Sequence, residues 1–327
     1  MITPPPFQQP QPFTPRRRGL SAEQRQLLRH VSRSFDLSIR LLPKALQAPV
    51  AIGYLLARAT DTVADTTAQP LAERQVLLDL MTRAIATPNT SAEESRELSR
   101  LTLAFAAQQT NPHERALMQA LPQCLPLLQT LSDADQASVR QVLGHITRGQ
   151  HLDMARFGPD LQALQTEAEL SDYTWLVAGC VGEFWTELCG RHLPGYSQLS
   201  QAEMMRTGRE YGMGLQRLNI IRDAGADLAA GRCYWPVETL AQAGLTPAML
   251  AHAAQSPDSA TLKALTPLYT QWLDHTQAQL ADGMRYALAL KPLRLRLASA
   301  LPALIGARTI ALLRQAGPAA LMHHVKM

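Results

Sequence analysis

Hydrophobic positions recur with helical spacing along almost the whole chain. From about Ser21 onward, leucine and alanine return every three to four residues, and no segment keeps the period of two that a half-buried strand shows. Segments 50–65, 134–156, 172–189 and 202–230 are too long for ordinary strands. Pro43, Pro49, Pro70, Pro112, Pro122, Pro159 and Pro194 sit where helix edges are expected. No short repeat and no strand–turn–strand pattern interrupts this. The pattern predicts a single all-α domain of roughly ten helices, at a typical length of about 11–15 residues. Residues 1–18, "MITPPPFQQPQPFTPRRR", lack the period. Their Pro/Gln composition predicts a disordered tail ahead of a domain over 19–327.

Composition sharpens the picture in three places. Hydrophobic residues make up 46% of the 327 but aromatics only 5%, so the core is built from leucine and alanine, which favour helices over strands. The net charge of +4 is too small to argue for nucleic acid; it suits an anionic small ligand or an anionic membrane surface. Cys124, Cys180, Cys189 and Cys233 form no C-x-x-C pair, which points to a reducing cytosol without disulfides or structural zinc. No uninterrupted run of 18 apolar residues occurs, so no membrane-spanning segment is expected. No apolar stretch precedes Arg16–Arg18, so no secretory signal is expected either, and that basic run reads as solvated.

Two helical segments carry charge in one line. In "YLLARATDTVAD", Tyr54, Arg58, Asp61 and Asp65 are spaced i, i+4, i+7, i+11. In "LNIIRDAGADLAAGRCYWP", Asn219, Arg222, Asp223 and Asp227 are spaced i, i+3, i+4, i+8. At 3.6 residues per turn each set forms one stripe. Either stripe alone reads equally well as a solvated face. Like charges four residues apart repel, however, and both stripes contain such a pair with an arginine just before it. Two carboxylates on one face suit a hard divalent cation that keeps waters and a phosphate oxygen. The arginine forks suit phosphate oxygens. Facing each other across a helical bundle, the stripes would hold a diphosphate through Mg²⁺.

The same residues resemble a known family. "NIIRDAGADLAAGRCYWP" (219–236) is similar to the second aspartate-rich motif of squalene and phytoene synthases, and "RATDTVAD" (58–65) to the first. "SRSF" (32–35), "GQHLDM" (149–154), "YTWLVAGCVGEF" (173–184) and "LPALIGARTIALL" (301–313) resemble further elements of that family, in the expected order over about residues 30–315.

The resemblance implies the isoprenoid synthase fold, a helical bundle around a central apolar cavity. It implies head-to-head condensation of two farnesyl diphosphates through presqualene diphosphate to squalene, with NADPH as reductant. The alternative is a dehydrosqualene or phytoene synthase that lacks the reductive step; a non-catalytic relative is disfavoured because all four aspartates and both arginines remain. By motif position, Asp61, Asp65, Asp223 and Asp227 would bind Mg²⁺. Arg58, Arg222 and Arg232, with Ser32 and Ser34, would contact diphosphate. Asn219, Arg222 and Arg232 would serve the cofactor. Tyr54 and Tyr173 would face the reacting carbons, with Phe35 bordering the cation and Gly179 and Gly182 permitting close packing. Asp153 reads equally as a helix-pairing or an active-site residue.

Three departures stand out. Ala64 and Ala226 occupy positions where the family often carries glutamate, and Val31 replaces a frequent histidine. "GRCYWP" and the 301–313 helix lean toward the squalene branch. A monomer or weak dimer is expected, cytoplasmic and at most peripheral to the inner face of the membrane.

Overall fold

Side-chain caps set many of the helix starts. Ser91 with Glu94 and Ser200 with Glu203 form reciprocal capping boxes, and Asn111, Ser132, Thr166, Thr246 and Asp258 each accept a hydrogen bond from a first-turn backbone N–H. The computed structural model describes residues 20–32, 35–66, 68–88, 91–158, 160–256 and 258–322. The predicted N-terminal tail and Ser34 lie outside the described residues.

The helices run in the order α1 (Ala22–Ser32), α2 (Phe35–Leu41), α3 (Lys44–Asp65), α4 (Leu71–Ala86), α5 (Ala92–Ala107), α6 (Pro112–Cys124), α7 (Asp133–Arg156), α8 (Glu167–Thr174), α9 (Cys180–His192), α10 (Gln201–Ala229), α11 (Val237–Gln242), α12 (Pro247–Gln255), α13 (Ser259–Ala289) and α14 (Leu293–Ala316). They outnumber the roughly ten expected because several, such as α2, α8, α11 and α12, are shorter than a typical helix. Pro43 and Pro70 precede helices and Pro112 opens one, as expected, but Pro49 and Pro122 lie inside α3 and α6. Pro49 is buried there. The one regular sheet among the described residues is a two-residue parallel pair, β1 (Gln162–Ala163) with β2 (Arg232–Cys233).

Two apolar clusters make up the core. One gathers leucines of α3, α4, α6 and α7, among them Leu55, Leu56, Leu78, Leu117 and Leu143. The other is built on α10, α13 and the C-terminal helices, where Trp235 stacks on Trp272 with ring centroids 4.0 Å apart. Between α8 and α9 the chain widens into a π-helical turn, Trp175–Gly179. Such turns interrupt the helical ladder and recur at functional sites.

Segment Leu293–Leu321 contains an 18-residue window of mean hydropathy 1.4 and by length and composition is apolar enough to cross a membrane. Arginines break the apolar run in sequence while the averaged hydropathy stays high. In the fold, α14 packs one side against α13 and α2 and leaves the other exposed.

Candidate active site

Both acidic stripes lie on helices, as their spacing predicts. The first occupies the C-terminal half of α3 and the second that of α10. Against the bundle interior lies a cavity of about 650 Å³, within the size range of small-molecule sites. Its walls come from α3, α7, the π turn, α9, α10 and α14 and are mostly apolar, including Val142, Ile146, Phe184 and Trp185.

Polar groups enter this cavity at a few points. Arg58 and Asp61 line it together and form an ion pair at 2.5 Å; the second arm of Arg58 holds Glu114 at 2.8 Å. Burial lowers the Arg58 pKa, but Asp61 and Glu114 outweigh it and the net direction is up. Burial raises the Asp61 carboxyl pKa against the opposing pull of Arg58 and a hydrogen bond from Gln150. Ser32, Phe35, Tyr54 and Asn219 also line the cavity. The Tyr54 hydroxyl donates to the Val31 carbonyl at 3.3 Å, and its ring sits 5.0 Å from that of Phe35. Ser32 Oγ, Gln150 Oε1 and Ser299 Oγ are buried without a hydrogen-bond partner in residues that line the cavity. Orphaned polar atoms of this kind are what a bound polar ligand satisfies.

The second stripe is organised around Arg232. Gly231 turns the chain with φ +77° directly after α10, a conformation that favours glycine. The β1–β2 pair then fixes the backbone: Gln162 N–H donates to the Gly231 carbonyl and Leu164 N–H to that of Cys233. Arg232 is thereby folded back onto Asp227 at 2.8 Å. Burial lowers the Arg232 pKa, and Tyr234, Asp227 and Asp65 together raise it further than burial lowers it. Asp65 of α3 and Asp227 of α10 thus share the field of one guanidinium. Protein packed around the Asp65 carboxyl and the charge of Asp61 push it up to about 7, against Arg232 and Arg58, although the residue still meets solvent. Burial also raises Asp227, against Arg232. Arg222 grips its neighbour Asp223 through two bonds, at 2.8 and 2.6 Å. Together with Asn219 and Phe35 it lines a smaller pocket of about 150 Å³ beside the main cavity.

Tyr173 is not among the residues lining either space. Its ring stacks on Tyr234 at 5.1 Å, and the Tyr234 hydroxyl donates to Asp153 Oδ2 at 2.6 Å. The other carboxylate oxygen of Asp153 is buried and unpartnered. Burial drives the Asp153 carboxyl up to about 6, opposed by hydrogen bonds from Tyr234 and Tyr173 and by the charges of Arg232 and Arg156. Burial, with the charge of Asp153, also raises both tyrosines well above the usual phenol range. Like Tyr173 and Tyr234, Asp153 lines neither cavity, but its carboxyl lies in the field of Arg232. Gln150 lines the cavity beyond the two stripes, while Glu114, Tyr234 and Asp153 contact their surroundings through Arg58, Tyr173 and each other. Gln150 and Asp153 lie in the "GQHLDM" segment and Tyr234 in "GRCYWP"; no sequence feature marks Glu114.

The donors suit a divalent cation held jointly with a ligand. Among the described residues no group of three or more His, Cys, Asp or Glu side chains could hold a metal by itself. The four stripe aspartates are hard oxygen donors in pairs. That matches Mg²⁺, which is usually bound through one or two carboxylates plus substrate phosphates and waters.

Comparison with known proteins agrees with this architecture. A phytoene-forming relative, the bifunctional lycopene cyclase/phytoene synthase of Colletotrichum graminicola, is 26% identical over 260 residues, 78% of this chain and 40% of that protein. The squalene synthase of Saccharomyces cerevisiae is 27% identical over 217 residues, 66% of this chain and 46% of that protein. The chain therefore spans less than half the length of either relative. Among solved structures, the complex of TcSQS with the ligand BPH1237 superposes with TM-score 0.70 at 22% identity, over 93% of this chain and 82% of that one. Squalene synthase HpnC from Alicyclobacillus acidocaldarius gives 0.59 at 22% identity, over 90% and 94%. At these identities the superpositions establish the fold, which is the isoprenoid synthase fold. Residues 28–327 match the squalene/phytoene synthase family over nearly the whole chain, and the chain belongs to that family.

Proposed function

We propose that the protein is a squalene synthase that joins two farnesyl diphosphates head to head and reduces the product with NADPH. The observation that carries this is the apolar cavity of about 650 Å³ with the Arg58–Asp61 pair set in its wall. Prenyl chains fit such walls, and a diphosphate needs a cationic fork and a carboxylate that could share a metal, as Arg58 and Asp61 would supply.

Asp61 and Asp65 on α3, and Asp223 and Asp227 on α10, would hold Mg²⁺. When bound, the ion neutralises the diphosphate leaving group. Arg58, Arg222 and Arg232 now spend their charge on Asp61, Asp223 and Asp227. With substrate bound they would turn their donors to phosphate oxygens, and Ser32 Oγ would find its partner there. The apolar lining excludes water, which would otherwise quench an allylic cation. Tyr54 and Phe35 present ring faces to that cation. Tyr173, stacked on Tyr234 beside Asp153, would act from outside the cavity lining. Asn219 and Arg222, at the smaller pocket, with Arg232, would serve the cofactor, whose contribution is a hydride.

The similarity to phytoene-forming enzymes keeps one alternative open, a dehydrosqualene or phytoene synthase without reduction. Incubation of purified protein with farnesyl diphosphate and Mg²⁺, with and without NADPH, separates them by mass analysis of the hydrocarbons. Squalene formed only with NADPH supports the proposal. A product two hydrogens lighter, indifferent to NADPH, moves the chain to the alternative. No product from C15 or C20 diphosphates overturns both.

A further inference from the structure

We infer that Asp153 is a positioning residue for Arg232: by holding the Tyr234 hydroxyl it sets the loop that presents the Arg232 guanidinium to Asp227. Backbone pairing fixes only the main chain of that loop. The Gly231 and Cys233 carbonyls accept from Gln162 and Leu164 at 2.9 and 3.1 Å, and the Val237 N–H donates back to the Leu164 carbonyl at 2.9 Å. In extended backbone, residues two apart share a face, so Arg232 and Tyr234 project to the same side. They are close enough there for Tyr234 to act on the guanidinium, as Asp227 and Asp65 do. Where the Tyr234 side chain is held, Arg232 is held with it.

The end of α7 does the holding. Asp153 and Phe157 are four residues apart and lie on one face. The Phe157 ring meets that of Tyr234 edge-on at 5.1 Å, while Tyr173 stacks on it from another side, also at 5.1 Å. These contacts cradle the ring. The bond from its hydroxyl to Asp153 Oδ2, at 2.6 Å, fixes where its tip points. That length is typical of a hydroxyl donating to a carboxylate, a bond roughly twice as strong as a neutral one.

Packing alone does not call for a carboxylate at this place. Asp153 Oδ1 is buried with no hydrogen-bond partner, and burying a charged oxygen in that state is costly. The charge has a use, because the Asp153 carboxylate also attracts Arg232. Arg232 now donates Nε and a terminal nitrogen to one oxygen of Asp227, at 3.2 and 2.8 Å. Once Asp227 turns to a cation, Arg232 loses that partner. Asp153 and Tyr234 would still keep the guanidinium in place for a phosphate oxygen. That last step rests on the proposed function, whereas the positioning does not.

The test reads Arg232 first without any ligand. In the full chain with isotope-labelled arginine, the Arg232 Nε–H resonance, identified by its loss in Arg232→Lys, is expected to exchange slowly with solvent. Tyr234→Phe, which keeps both ring contacts, and Asp153→Leu are each expected to speed that exchange at least about tenfold with unchanged helical circular dichroism. Asp153→Asn still accepts the bond, without the charge, and is expected to fall between. Calorimetry then gives the Kd of inorganic diphosphate with Mg²⁺. Tyr234→Phe is expected to weaken it about tenfold in the wild-type background and by less than about twofold in Arg232→Lys, because the effect passes through Arg232. Unchanged exchange in Tyr234→Phe and Asp153→Leu overturns the inference. So does a loss of affinity by the same factor in both backgrounds, which would leave Asp153 and Tyr234 as packing residues. Should Asp153→Leu fail to fold, Tyr234→Phe decides alone. Faster exchange in the variants of a protein that binds no diphosphate keeps the positioning and overturns the diphosphate reading instead.

Discussion

Gly182 of α9 lies against the backbone of Gly208 of α10. A Cβ at Gly182 would come within 1.9 Å of the Gly208 carbonyl oxygen, and one at Gly212 within 2.2 Å of the Ala178 carbonyl oxygen. The two helices therefore cross in backbone contact. Gly182, Gly208 and Gly212 all border the cavity, so the crossing shapes its wall. Gly182→Ala is expected to force the helices apart, destabilising the fold by about 1–3 kcal/mol or more. Thermal denaturation of the variant checks this; an unchanged melting temperature would show that the helices part freely.

Asp61→Asn and Asp223→Asn are each expected to reduce turnover by about 10²-fold or more. Both residues lie beside an arginine and outside the two apolar clusters, so helical content should persist. Turnover measured across a Mg²⁺ titration checks the assignment. Near-normal rates in both variants at low Mg²⁺ would remove the stripes from the metal site.

Asp153 carries a pH prediction. Its folded-state pKa is raised to about 6, above the ordinary value of an unfolded aspartate. Between roughly pH 4 and 6 the folded state binds the extra proton, so this group's contribution to stability falls as pH rises through that window and then levels off. Asp153→Asn retains an acceptor for Tyr234 but cannot ionise. Wild-type stability relative to this variant is expected to drop by about 1–3 kcal/mol from pH 4.5 to 7. Parallel pH profiles of denaturation for the two proteins would show that the carboxyl does not titrate there.

Tyr173→Phe keeps the ring that stacks on Tyr234 and removes the hydroxyl. Diphosphate binding is expected to hold while product formation slows by about 10²-fold, the lower end of a positioned proton or dipole contribution. Single-turnover kinetics with farnesyl diphosphate separates the two. An unchanged rate would assign Tyr173 to packing alone.

Both stripes were legible because helical periodicity converts sequence spacing directly into shared faces. Arg58 with Asp61 and Arg222 with Asp223 are local pairs, so their contacts follow from the helix itself. Glu114 reaches Arg58 from 56 positions away, and Tyr234 reaches Asp153 across 81. No local pattern encodes such contacts. The place of Tyr173 shows the same limit. Its motif was recognisable, yet only packing set it beside Asp153 and away from the cavity wall.

The sequence by itself determined the all-α class, the long helices, the two acidic stripes and the family motifs, because each depends on neighbours within a few turns of one helix. Tertiary structure alone decided that α9 and α10 touch at glycines, that Arg232 pairs with Asp227 in the field of Asp65, and that α14 turns one leucine stripe outward. Those outcomes depend on how helices distant in sequence pack, and packing is selected by the shape and charge of the whole bundle.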